Sequence, residues 1–160
     1  MPAKLSEMLF QLKDLNTTEQ ESMINAPIWA GILVGCADGK LNKKEVEMIE
    51  QVIKTKTFSE QNDVHYLYQE LCKDNLHERI AGLIDGMVGS VNDKARQASE
   101  KLEALNSILP KLEEIYARQF LDSLHDVAVS VANVSGGVLG IGAINFDEKA
   151  VITLPMINKI

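Results

Sequence analysis

From Ile28 to Ala37 the chain is almost wholly apolar, and this stretch constrains the fold more than any other. It is too long for an ordinary strand and is preceded by a proline, so it reads as a helix buried on most of its sides. Such a helix needs other helices around it. The remaining pattern supplies them. Leu5, Met8, Leu9, Leu12 and Leu15 recur at steps of three and four, as do Val46, Ile49 and Ile53. Val64, Leu67 and Leu71 continue the pattern, followed by Ile80, Leu83, Ile84 and Met87, then by Leu112, Ile115, Leu121 and Leu124. No convincing run alternates with period two, so the class is all-α: a compact bundle of about seven to nine helices.

Local signals place the boundaries. Asn16-Thr17-Thr18-Glu19 supplies caps for a second helix, which Pro27 either kinks or replaces with a new first turn. Gly31 and Gly35 allow close approach of a neighbouring element. Asp38-Gly39 stops the buried helix, and Asn42-Lys43-Lys44-Glu45 has capping-box spacing. Ser59 is the expected cap of the helix carrying Val64, Asn75 a break, and Asn92 the cap of a charged helix with Leu102 and Leu105 inside. Ser107 is expected to cap a helix with Pro110 near its start, and a last helix is expected from Asp147 to Pro155.

Length and charge narrow the class. A chain of 160 residues forms one domain with a sizeable core. The net charge of −7 and scattered basic residues disfavour nucleic acid as a partner. Cys36 and Cys72 have no CxxC spacing, indicating neither a disulfide framework nor a thiolate metal site. The first residues lack a signal-peptide pattern, which reads as cytoplasmic. Val127 to Ile144 is 18 residues without a charge, but its four glycines and its Ser and Asn residues argue against membrane insertion.

Two distant segments match. Leu41-Asn42-x-x-Glu45-x-x-x-Ile49 lines up with Ile144-Asn145-x-x-Glu148-x-x-x-Ile152, a shift of 103 positions. Ile28 to Val34 lines up with His125 to Val131. Each copy reads as buried helix, glycine stop, loop and capped helix, giving an internal repeat over roughly 28–53 and 125–156. Two such hairpins would pack as pseudo-symmetric halves.

The same segments carry a family resemblance. Ala37-Asp38-Gly39-Lys40-Leu41-Asn42-Lys43-Lys44-Glu45 resembles the turn of TerB-like proteins, the tellurite-resistance family. Asn145-Phe146-Asp147-Glu148-Lys149 is similar to its second-half counterpart, and Ser135-Gly136-Gly137-Val138-Leu139-Gly140 to the second-half turn of one branch. The resemblance implies a single TerB-like helical domain over 1–160 with two pseudo-symmetric halves. It also implies tellurite and stress resistance, no known catalysis, and acidic clusters suspected of binding metal. Ser135 and Gly136 stand where relatives often carry aspartate, which weakens an acidic site there.

The candidate site residues are few. Asp38, Gly39 and Glu45 match the second half of an EF-hand loop, but Val34 and Cys36 occupy its first ligand positions. A helix stop and a capping box account for Asp38 and Glu45, and the helix dipole accounts for Asp147 and Glu148. Together the four are candidates for a divalent-cation site, zinc or calcium. Asp122 and His125, three apart on one helix, are a second candidate metal pair. Trp29 and Cys36 are candidates for lining an apolar ligand cavity between the halves. No nucleophile has a base beside it, and Gly136 to Gly142 carries no phosphate-binding lysine, so no enzyme activity is expected.

Three functions are consistent with this reading. The first is a non-enzymatic module binding protein partners through an acidic surface, with homodimerisation compatible. The second is a divalent-metal or metalloid-handling protein, and the third a small-ligand sensor.

Overall fold

The computed structural model describes Leu12 and residues 14–37, 41, 43–59, 64–73, 75–137 and 152–160. Among these residues the chain is all-helical. Six α-helices run in the order α1 (Thr17–Ala37), α2 (Lys43–Ser59), α3 (Val64–Cys72), α4 (Leu76–Asp85), α5 (Val91–Glu103) and α6 (Glu114–Gly137). Two 3₁₀ turns, Ala104–Ser107 and Leu109–Lys111, join α5 to α6.

The apolar stretch is the centre of the molecule. Helix α1 runs unbroken through Pro27, and every residue from Ala26 to Cys36 is buried. It packs chiefly on α5 and α6, with α2 and α3 also against it. Gly31 lies tight against α2, because a Cβ there would lie 3.0 Å from both Cγ atoms of Ile49. The close neighbour is thus a side chain. Met23, Ile28, Ile32, Ile53, Leu67, Leu102 and Phe120 fill the core around it. Each such side chain contributes roughly 1.5–3 kcal/mol by leaving water.

The caps show which local signals succeeded. Asn16 and Glu19 form a reciprocal box at the start of α1: Glu19 N–H donates to Asn16 Oδ1 at 2.8 Å, and Asn16 N–H to Glu19 Oε1 at 3.0 Å. Glu19 also pairs with Lys111, which ties the second 3₁₀ turn to α1. Asn75 caps α4 by accepting from Glu78 N–H at 3.1 Å.

Other boundaries differ from expectation. Ser90, not Asn92, caps α5, and its N–H donates to Asp93 Oδ2 at 3.0 Å. The box needs an acceptor three residues on, which Asp93 supplies for Ser90; Ala95 supplies none for Asn92. Ser59 is the last residue of α2 and does not start α3. Ser107 ends a 3₁₀ turn and donates to Ala104 O at 3.0 Å, so Pro110 sits in a second 3₁₀ turn and α6 begins only at Glu114. The expected last helix is not helical over its described end, 152–155. Leu154 there has φ +48°, a left-handed conformation that interrupts a right-handed helix. The expected first helix lies largely outside the described residues, although Leu12 and Leu15 are buried in the core.

Candidate functional site: the groove between α2 and α6

Helices α2 and α6 pack side by side and leave an open groove of about 450 Å³ between them. One wall is Gln51, Val52, Thr55 and Lys56, and the other is Asp126, Val129, Ser130 and Val134. Val52 is buried at its base, whereas Val129 and Val134 are 37% and 44% exposed. The Lys56 ammonium crosses the groove and donates to Asp126 Oδ2 at 3.2 Å. The Lys56 side chain is largely buried while the Asp126 carboxylate stands out in water. The aliphatic stem of Lys56 therefore contributes apolar wall, and its head meets an acceptor at the surface.

The outer stripe of α6 continues this surface. Ile115, Arg118, Asp122, Asp126, Val129 and Asn133 are all exposed and follow one another at steps of three and four. That spacing places them on one helix face. Two carboxylates and one valine, Val129, thus share a face that is open among the described residues, and Val134 adjoins it in the groove wall. At the near end, Arg118 neutralises Glu114 at 2.6 Å.

The residues expected to bind metal fall in several places. Asp38, Asp147 and Glu148 lie outside the described residues. Glu45 is in the first turn of α2 and is buried. Cys36 is buried at the end of α1, and its thiol is pushed up to about 11, first by burial and then by the Glu45 charge, with Lys94 opposing. Asp122 is exposed on α6, and His125 is half-buried on the same helix. Among the described residues, no three His, Cys, Asp or Glu side chains are grouped to hold a metal ion. Trp29 is buried in the core with Cys36, and neither lines the groove.

One polar cluster escaped the sequence reading. Glu50 on α2 pairs with Lys54 at 2.9 Å and with His77 Nδ1 of α4 at 2.9 Å. The Lys54 hydrogen bond, then the His77 contact, hold the Glu50 carboxyl below its ordinary range against the effect of burial. The i,i+4 spacing of Glu50 and Lys54 was a readable signal, but the tie to His77 depends on how α4 docks. Nearby, Thr57 Oγ1 and Cys72 Sγ are 3.3 Å apart. These contacts fasten α2 to α3 and α4.

Among the described residues, no helix is long and apolar enough to cross a membrane. The fold and groove define, among the described residues, an all-helical bundle domain with an open interhelical face.

Comparison with known proteins gives that class a family. No family model matches the chain, and no solved structure matches it. An uncharacterized protein, ORF11′, of Methanothermobacter thermautotrophicus is 30% identical over 128 residues, covering 76% of this chain and 78% of that protein. The chain belongs to the family of that archaeal protein.

Proposed function

We propose that this chain is a non-enzymatic interaction module that binds a basic, partly apolar segment of a partner protein along the α2–α6 groove. The observation that carries the reading is the exposure of Val129 beside Asp122 and Asp126 on one helix face, with Val134 exposed in the adjoining groove wall. The valines offer apolar contact and the Asp122 carboxylate, which makes no ion pair among the described residues, selects for lysine or arginine, a combination suited to an amphipathic helix lying in a groove. The net charge of −7 favours the same partner by long-range attraction.

The likeness to TerB proteins supplies the stress-response part of the proposal and rests on the motif from Ala37 to Glu45. In this reading α1 and α6, which pack against each other, are the equivalent helices of two pseudo-symmetric halves.

The test is to isolate partners with the wild-type chain and measure each purified partner against Asp122→Lys/Val134→Glu. Both residues are exposed, so the variant should keep its fold. An affinity loss of about tenfold or more, ~1.4 kcal/mol, is expected. Unchanged affinity would remove the groove from the account.

A further inference from the structure

A second recess, of about 310 Å³, lies on a different part of the surface, where the 3₁₀ turns, the start of α6 and segment 152–160 meet. Its apolar lining comes from Leu109, Pro110, Leu112, Ala117 and Ile160. The opposite wall, Asn158 to Ile160, belongs to a segment without helix that is nevertheless firmly anchored. Leu154 and Ile157 are buried, and Asn106 grips the backbone on both sides of Ile157. Its Nδ2 donates to Met156 O at 2.9 Å, and its Oδ1 accepts from Asn158 N–H at 2.7 Å. Leu154 holds a left-handed φ of +48° within this anchor, a conformation a leucine keeps only when its surroundings fix it. The wall is therefore preformed, as binding pockets commonly are.

Its charges are unequal in availability. Glu114 lines the recess but is already engaged by Arg118 at 2.6 Å. Lys159 also lines it and makes no ion pair among the described residues. The amide of Asn106 is committed at both ends to the backbone. An apolar recess with one available ammonium is complementary to a small anion on an apolar body.

We propose that this recess binds a small monocarboxylic acid, aliphatic or aromatic, with its chain against Leu109, Leu112 and Ala117 and its carboxylate on Lys159. The proposal is independent of the α2–α6 groove.

It is tested on the full chain by following backbone amide NMR shifts during titration with hexanoate, benzoate, hexanol and hexylamine. The expected result is saturable shifts at Asn106, Glu114, Ala117 and Lys159 with either acid in the millimolar range. Hexanol and hexylamine should bind several-fold more weakly, and Lys159→Glu, at an exposed position, should abolish the preference for acids. Absence of saturable shifts with both acids would overturn the proposal. So would hexanol binding as tightly as hexanoate, or a preference for acids that survives in Lys159→Glu.

Discussion

Lys56 and Asp126 meet at 3.2 Å across the α2–α6 groove, and their exposures are opposite: the lysine side chain is 14% exposed and the aspartate 63%. The two partners consequently have different duties. The carboxylate is a solvated acceptor, whereas the lysine stem is part of the packing between the helices.

That asymmetry sets an order of stabilities. Asp126→Asn removes an exposed charge and should cost no more than ~1 kcal/mol in urea unfolding. Lys56→Ala also removes buried methylene groups, each worth roughly 0.8 kcal/mol, and should cost clearly more. Equal losses would show that the stem is not packed as described.

Two glycines should respond in opposite directions to alanine. At Gly31 the new methyl meets Ile49 at 3.0 Å in a close-packed core, so Gly31→Ala should destabilise by about 1–3 kcal/mol despite better helix propensity. At Gly82, exposed on α4 with nothing within 4 Å, Gly82→Ala should stabilise by up to ~1 kcal/mol. Thermal unfolding of the two variants checks both signs.

These cases mark how far the sequence could be read. The buried stretch of α1, the Asn16 box and the inner stripe of α2 follow from spacing and residue type alone, whereas Ile115, expected among the apolar positions of α6, is exposed on its outer face. The cap of α5 was misplaced by two residues because Ser90 and Asn92 are both cap-type, and only Asp93 decides between them. The groove was not legible. Val129 and Val134 are as apolar as Val127 and Val131, and how α6 docks on the bundle settles which pair faces water. The end of the chain was illegible for another reason. Leu154 adopts its left-handed backbone in a segment held by Asn106, about 50 residues away in sequence.

Glu50 should contribute to acid sensitivity, as should Glu19 and Asp93, whose carboxyls are also lowered. Lys54 and then His77 hold the Glu50 pKa below the ordinary 4.5, so the folded state binds this proton less readily than the unfolded chain. The associated stability is fully present above 4.5 and is lost as pH falls through the lower, folded value. Glu50→Gln should therefore flatten the acid limb of the stability profile. An unchanged slope below pH 4.5 would count against the cluster.

The two thiols should differ in alkylation. Cys36 is buried and its thiol is raised to about 11, so little thiolate forms near neutral pH. Cys72 is only partly buried. Iodoacetamide labelling followed by peptide mass spectrometry should modify Cys72 first and reach Cys36 only under denaturing conditions. Labelling of Cys36 first in the native protein would contradict its placement in the core.

The most direct test of the interaction reading is amide chemical-shift mapping of the chain while a purified partner is added. The largest changes are expected along the outer stripe of α6 and its groove, at Asp122, Asp126, Val129 and Val134. Changes that cluster on another face while these four residues stay unmoved would contradict it.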